Sequence, residues 1–152
     1  MAATTLFTIG YEQARPDAVL SELKQARIEI LVDTRAVAAS RKPGFSKRQL
    51  AAALDEAGIA YLHLQKLGTP AAGRNAARAG DFATLWRVYA RHLKTKSAIE
   101  EMDELVRLVK SGRRVCLLCY ERNHEECHRS RIAEVVQRRT RARISNLAPP
   151  LF

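Results

Sequence analysis

The most reactive side chains of the sequence lie close together in residues 119–129. Cys119, Glu121, Cys127 and His128 all fall within this segment. Thiol, carboxylate and imidazole groups serve proteins as nucleophiles and as general acids and bases. A helix is predicted to begin at about His128, and a helix N-terminus attracts anions and lowers the pKa of a nearby thiol. We therefore expect Cys127 to have thiolate character and the segment to bind an anion.

A second set of polar residues follows the first two predicted strands. Tyr11 lies just beyond the first strand, and Asp33 and Arg35 follow the second. Ser40 and Arg41 come next, in a polar loop. Ligands of open α/β sheets bind beyond the carboxyl ends of the strands, so we expect both sets to meet at that edge.

The chemistry of these side chains divides them into two groups. The predicted catalytic residues are Asp33, Cys119, Glu121, Cys127 and His128. Guanidinium groups bind phosphate and carboxylate bidentately. The predicted ligand-binding residues are Tyr11, Arg35, Ser40, Arg41 and Arg129. A structural interpretation stays open, in which Asp33 and Arg35 pair with Arg129 and Glu121 and tie the loops together.

The elements that must position these residues alternate between strands and helices. Strand-like runs cover residues 6–9, 28–32, 59–64, 115–119 and 142–147. Apolar stripes at helical spacing cover residues 16–26, 46–57, 81–93, 97–111 and 128–139. The alternation predicts a single three-layer α/β domain over residues 1–152, with a mainly parallel sheet of about five strands and helices on both faces.

Several local expectations follow from the same patterns. Phe82, Trp86 and Ile99 belong to apolar stripes and are expected in the core, and His63 and His92 are expected to be surface or hydrogen-bonded histidines. Ser46 and Gln49 have the spacing of a capping box. The stretch 67–80 is predicted to be a mobile connection, and it carries two basic residues, Arg74 and Arg78.

Composition limits the classes of protein and partner. The formal net charge of +10 favours an anionic partner, although an ordinary basic surface explains it equally well. No apolar run is long enough to span a membrane, and the N-terminus has no signal-peptide pattern. Three cysteines without a secretion signal indicate free thiols in a reducing compartment. We therefore expect a cytoplasmic protein with no membrane association, and the oligomeric state is left open.

Six short pieces of the sequence together resemble one family. They are FTIGY (7–11), VDTR (32–35), SRKPGF (40–45), LG (67–68), LCYE (118–121) and CHR (127–129). In this order they look like the domain-of-unknown-function 488 family, over nearly the whole chain. The resemblance implies an α/β domain of bacterial or archaeal type and no established reaction. Thr34 departs from the family's usual Asp-Val-Arg.

The family motifs coincide with the residues selected on chemical grounds. By motif match the resemblance marks Tyr11, Asp33, Arg35, Ser40, Arg41, Cys119, Glu121, Cys127, His128 and Arg129. The preferred hypothesis is an enzyme or enzyme-like domain that binds an anionic ligand, phosphorylated or nucleic acid, at the carboxyl edge of the sheet.

One alternative is a non-catalytic module that binds nucleic acid. Its evidence is the basic charge and the arginines near the end of the chain, Arg131, Arg138, Arg139, Arg141 and Arg143. An ordinary solvated helix face has the same pattern. The cluster of cysteine, histidine and arginine is unnecessary for such a module.

A further alternative is metal binding or sulfur transfer. Cys116 and Cys119 on one strand point to opposite faces, so they form no zinc half-site, and Cys116 is expected in the core. Cys119, His124, Cys127 and His128 remain candidate ligands, but their spacing fits no recognised zinc class, so we expect no cofactor and do not favour a metal. An Asp-x-Arg motif and a cysteine after a strand resemble rhodanese-like domains, but their six-residue loop is absent. The Cys-x5-Arg phosphatase pattern fits neither Cys119 nor Cys127, because the sixth residue after each is Glu125 and Ala133 respectively.

Overall fold

A five-stranded parallel sheet forms the centre of the molecule. The computed structural model describes residues 4–151. The strands are β1 (Thr5–Gly10), β2 (Ile30–Asp33), β3 (Ala60–His63), β4 (Val115–Cys119) and β5 (Arg143–Leu147). Their order is β3-β2-β4-β1-β5, and all neighbouring strands pair in parallel. The α/β class and the parallel sheet predicted from the sequence are therefore confirmed.

Helices connect the strands and cover both faces of the sheet. They are α1 (Pro16–Gln25), α2 (Lys47–Glu56), α3 (Ala71–Arg78), α4 (Phe82–His92), α5 (Lys96–Lys110) and α6 (His128–Thr140), with short 3-10 turns at Gln65–Leu67 and His124–Glu126. Within residues 4–151, no helix has both the length and the apolar character needed to cross a membrane.

Alternation along the strands separates two apolar cores. On β4, Leu117 packs with the layer of α4, α5 and α6, whereas Cys116 and Leu118 pack with the layer of α1 and α2. Side chains of successive strand residues point to opposite faces, which produces this division. Cys116 is completely buried, so its predicted place in the core is confirmed.

The connections leave a crevice between β2 and β4. After β2 the chain passes through α2 to the edge strand β3, and after β4 it passes through α6 to the opposite edge. The two neighbouring strands therefore send their following loops to opposite faces of the sheet. Such a switch point is where ligands of open α/β sheets bind.

Three local predictions are wrong. The stretch 67–80 contains the helix α3, which carries no long apolar side chains but packs closely through the buried residues Gly73 and Ala76. A Cβ atom on Gly73 would lie 2.6 Å from Thr69 Cγ2, so the glycine permits this close approach. Phe82 is 38% exposed and Ile99 is 46% exposed, because each lies in the first turn of its helix and outside the packed stripe.

Candidate functional site

A pocket of about 600 Å³ opens at the carboxyl ends of β2 and β4. The loop after β2 and the helix α3 contribute the arginines that line it, Arg35, Arg41, Arg74 and Arg78. Cys119, Glu121 and His128 line it from the side of β4 and α6. The sheet thus brings the reactive residues of the sequence to one cavity, at the edge that its topology favours.

The Cys–His cluster, which comprises Cys119, Cys127 and His128, lies against this pocket. Cys119 is the last residue of β4, Cys127 is the N-cap of α6 and His128 is the first residue of that helix. One ligand atom from each side chain lies within 4.8 Å of the others, and all three side chains are buried. His124 begins the preceding 3-10 turn and is not a member of the cluster.

Hydrogen bonds define the tautomer of His128. Its Nε2 lies 2.9 Å from the carbonyl oxygen of Thr34, which can only accept a hydrogen bond. Thr34 Oγ1, 3.1 Å from the same nitrogen, donates its own proton to Leu118 O, so it also acts as an acceptor towards Nε2. Nε2 therefore carries the proton. In the neutral ring the free electron pair is then on Nδ1, and Cys119 Sγ lies 3.7 Å from Nδ1 and 3.8 Å from Nε2.

The two thiols of the cluster have different surroundings. Cys119 Sγ lies 3.1 Å from Glu121 Oε2, so a carboxylate adjoins this thiol where it faces the pocket. Burial raises the pKa of the Cys127 thiol well above its usual value, and its contact with Cys119 raises it further. The predicted thiolate character of free Cys127 is therefore wrong. A single N–H bond from Arg129 at the helix start, 3.5 Å long, does not offset this desolvation.

Asp33 and Arg35 form a buried pair beneath the pocket. Arg35 Nε donates to Asp33 Oδ1 at 2.9 Å, and Arg35 Nη2 donates to Asp33 Oδ2 at 2.7 Å. Tyr61 donates its hydroxyl proton to the same Oδ2. Arg35 Nη1 donates to the Tyr11 hydroxyl and to the Phe45 carbonyl. Both Asp33 oxygens and most Arg35 donors thus serve the protein itself, which supports a structural role for the pair.

Arg129 is 1% exposed and binds several elements together. Its Nε donates to Thr8 Oγ1 at 3.2 Å, and the Thr8 hydroxyl in turn donates to Asn146 Oδ1 on β5. Its two terminal nitrogens donate to the backbone carbonyls of Glu121 and Arg122. The structural interpretation is therefore right that Arg129 ties loops together. It is wrong about the partners, because the guanidinium binds a hydroxyl and two backbone carbonyls instead of Asp33 or the Glu121 carboxylate.

Gly10 allows the loop after β4 to approach β1. A Cβ atom at this position would lie 1.8 Å from the carbonyl oxygen of Glu121 and 3.0 Å from Arg129 Nη1. Any side chain there would displace this loop. The backbone next to Glu121 is consequently held against the centre of the sheet.

The loop after β2 is held by Ser46, although not as a capping box. Ser46 Oγ accepts the N–H of Ser40 and donates to the Ser40 carbonyl, both at 3.1 Å. Gln49 Oε1 accepts the N–H of Gly44. These side chains satisfy the backbone of the loop instead of the start of α2, so the predicted capping box is wrong. They place Ser40 and the exposed Arg41 beside the pocket.

Aromatic packing and one histidine complete the wall on this side. The rings of Tyr11 and Phe45 stack with centroids 4.4 Å apart, which explains the burial of Tyr11. His63 Nε2 lies 2.7 Å from the carbonyl oxygen of Arg35, and His92 Nε2 lies 2.6 Å from that of Lys66. The prediction that these histidines are hydrogen-bonded is confirmed.

Arg74 and Arg78 were evident in the sequence as basic residues of the stretch 67–80, but they were not predicted to lie at the site. They are four residues apart on α3, a spacing that puts two side chains on one helix face. Arg74 Nη1 donates to the Thr69 carbonyl at 2.8 Å, which orients this side chain along the pocket wall. A helix prediction for residues 71–78 would have revealed the pair.

Two of the arginines near the end of the chain contact other helices. Arg131 stacks over the half-buried Trp86, with 4.4 Å from its guanidinium carbon to the ring centroid. Arg139 Nη1 pairs with Asp103 at 2.8 Å. These contacts are typical of ordinary helix packing.

The fold and the site define an α/β domain with a pocket at its topological switch point. The chain belongs to the family described as domain of unknown function DUF488, whose model matches residues 15–136. Comparison with curated proteins gives no match.

Proposed function

We propose that the pocket binds an anionic ligand that carries phosphate, and that the protein is an enzyme acting on this ligand. One observation carries the proposal. Three arginines of the wall, Arg41, Arg74 and Arg78, which we call the rim arginines, surround a pocket that also exposes thiol, imidazole and carboxylate groups.

The balance of charge in the pocket supports an anion. The Arg35 charge is compensated by Asp33, with which it forms a buried ion pair. The three rim arginines remain, against two carboxylates in the lining of the same cavity, Glu121 and Glu126. Because Arg41 and Arg78 are exposed and Arg74 is half-buried, their N–H groups stay accessible to a ligand. Planar guanidinium groups bind phosphate oxygens in pairs.

The size of the pocket favours a small ligand. Pockets for small molecules measure about 300–1,000 Å³, and this one lies within that range. The ligand class that fits is a phosphorylated metabolite or a single nucleotide. Of a nucleic acid, the pocket could hold only a single nucleotide.

Cys119, Glu121 and His128 are the groups that face such a ligand and exchange protons. Cys119 Sγ lies 3.1 Å from Glu121 Oε2, and 3.7 Å and 3.8 Å from Nδ1 and Nε2 of His128. A carboxylate and an imidazole within this reach are typical of general acid–base or nucleophilic sites. The arginines would bind the phosphate, and the reaction would take place on the β4 side.

Calorimetric titration with phosphate, pyrophosphate and a mononucleotide tests the proposal. We expect the double variant Arg74→Ala/Arg78→Ala to bind each probe that the wild type binds at least about tenfold more weakly. The reason is that hydrogen bonds to charged groups contribute about 1.5–3 kcal/mol. The matched control is Arg91→Ala/Arg107→Ala, which removes two exposed arginines from α4 and α5. Its affinity should equal that of the wild type.

Three results would overturn the proposal. The first is that none of the probes binds to the wild type. The second is an equal loss of affinity in the control variant, which would indicate general charge attraction. The third is salt-sensitive RNA binding that the rim variants leave unchanged, which would favour a nucleic-acid module.

A further inference from the structure

The Cys–His cluster has the composition and placement of a metal site. We propose that Cys119, Cys127 and His128 bind one divalent transition ion of the zinc class, with a fourth position open to the pocket. The inference deepens the proposed function and rests on it only for the role of that fourth position. Binding of the ion itself depends on the three side chains alone.

The distances within the cluster suit a single ion. Its three ligand atoms lie within 4.8 Å of one another. Zinc binds thiolate sulfur at about 2.3 Å and imidazole nitrogen at about 2.0 Å, so tetrahedral ligands lie about 3.5–3.8 Å apart. The cluster would contract by about 1 Å or less around the ion. Two thiolates would balance the ion's charge, and a Cys2His set is a known catalytic zinc type.

The surroundings of His128 independently point to a ligand. Histidines that bind metals usually donate their second N–H to a carbonyl or carboxylate, which fixes the tautomer and the ring orientation. Here Nε2 donates to Thr34 O at 2.9 Å. In the neutral ring Nδ1 is then the nitrogen free to bind an ion, and Cys119 Sγ lies 3.7 Å from Nδ1 and 3.8 Å from Nε2. The side chain is held as a ligand would be.

The start of α6 supplies the matching support for a thiolate at Cys127. Its Sγ accepts the N–H of Arg129 at 3.5 Å. A thiolate at the N-cap also benefits from the positive end of the helix dipole. A bound cation would stabilise this thiolate despite its burial, because metal ligation deprotonates cysteine.

A fourth position on the ion would open towards the pocket, because two of the three ligands line it. Cys119 and His128 line the cavity, and Glu121 lines it beside them. Its carboxylate lies 3.1 Å from Cys119 Sγ. An oxygen of a bound phosphate, or a water molecule near Glu121, would complete the coordination. This arrangement joins the ion to the ligand that the rim arginines hold.

The three ligands were among the four candidates in the sequence, but their spacing did not favour a metal. Cys127 and His128 are adjacent, and seven residues separate Cys119 from Cys127, which is not a zinc-finger spacing. The cluster forms because β4 and the start of α6 meet, so the fold separates these three residues from His124.

Cobalt binding tests the proposal without any pocket ligand. The full chain, purified under reducing conditions and stripped with a chelator, is titrated with Co²⁺ alone. We expect one ion per chain and the sulfur-to-cobalt charge-transfer absorption of thiolate ligation. Cys119→Ser, Cys127→Ser and His128→Gln should each weaken binding at least about 100-fold, while Cys116→Ala, a cysteine variant outside the cluster, binds as the wild type does.

The wild type alone provides a second readout if the variants fail to fold. Zn²⁺ should slow alkylation of Cys119 and Cys127 at least about tenfold and leave the rate at Cys116 unchanged. Any of three results would overturn the proposal. The first is a cobalt titration without charge-transfer absorption. The second is alkylation of Cys119 and Cys127 at the same rate with and without Zn²⁺. The third is a Cys119–Cys127 disulfide whose reduction does not restore metal binding.

The same samples separate this inference from the proposed function. The Arg74→Ala/Arg78→Ala variant should bind Co²⁺ normally, because neither arginine belongs to the cluster. The stripped wild type should still bind phosphate through the rim arginines, although more weakly. Loss of phosphate binding in the arginine variant together with absent Co²⁺ binding in the wild type would reject the metal site alone.

Discussion

Two sets of arginines lie at the same edge of the sheet and do different work. Arg35 and Arg129 are 5% and 1% exposed, and their N–H groups bind acceptors of the protein itself. The rim arginines lie at the mouth of the pocket with accessible N–H groups. The family motifs contain Arg35, Arg41 and Arg129, so membership in a motif does not separate the two sets.

Burial decides what each arginine can bind. A guanidinium group taken out of water must find acceptors within the protein, because an unpaired buried charge is very costly. Arg35 finds a carboxylate, and Arg129 finds a hydroxyl and two carbonyls. The N–H donors of both side chains are therefore used within the protein. A rim arginine keeps most of its N–H groups for a ligand, although one N–H of Arg74 binds Thr69 O and one N–H of Arg78 binds Asn75 Oδ1.

The largest effect is expected from separating the buried pair. Asp33→Asn removes the negative charge that faces Arg35 and should lower the free energy of unfolding by about 3–5 kcal/mol. Chemical denaturation measures this loss. The matched control is Asp103→Asn, which breaks an exposed pair with Arg139 and should cost about 1 kcal/mol or less. Equal losses in the two variants would remove the distinction between interior and surface arginines.

A somewhat smaller effect is expected at Arg129. Arg129→Lys keeps the charge, but an ammonium group cannot reproduce the fork that contacts Thr8 and two carbonyls. We expect a loss of about 2–3 kcal/mol in denaturation experiments. Arg131→Lys on the same helix should lose less than about 1 kcal/mol. A lysine at position 129 with wild-type stability would contradict the organising role of this guanidinium.

Gly10→Ala tests the contact between β1 and the loop that Arg129 holds. The new methyl group would meet the Glu121 carbonyl that Arg129 holds, so the loop must move. Overpacking of this kind costs about 1–3 kcal/mol. A thermal melt measures the loss, and the same variant should lower Co²⁺ affinity because Glu121 lies next to the Cys–His cluster. An unchanged melting temperature would show that the loop is not fixed by β1.

The smallest effect on stability is expected at the rim. Arg41→Ala should change the free energy of unfolding by no more than about 0.5 kcal/mol, since the side chain is exposed. Its effect should appear in the phosphate titration as a several-fold loss of affinity. Destabilisation comparable to that of Arg129→Lys would place Arg41 in the structural set.

Strand positions and faces were predictable because they depend on short-range patterns. The apolar run at β4 and the alternation that separates Cys116 from Cys119 could be read directly from the sequence. The helix α3 could not, since it contributes only small residues such as Gly73 to its contact with Leu85 and Val88 of α4. Hydrophobic periodicity detects only large buried side chains.

The meeting of the reactive residues was predictable, but their roles were not. The strand-end rule brings Cys119, Glu121 and His128 to one pocket, as the structure has them. The burial of Arg35 depends on Tyr11 and Phe45, which no local pattern connects to it. The raised pKa of the Cys127 thiol follows from the depth of its burial, which sequence spacing does not encode.

The hydrogen bond between Thr8 and Asn146 also specifies how the edge strand β5 is aligned. These two residues are direct partners in the parallel register of β1 and β5, and Thr8 Oγ1 lies 2.5 Å from Asn146 Oδ1. A slip of β5 by one residue would turn Asn146 to the other face of the sheet. A slip by two residues would move it out of reach of the Thr8 hydroxyl. Arg129 binds the same hydroxyl and also holds the Glu121 carbonyl. A misaligned edge strand would therefore disturb the loop that carries Glu121.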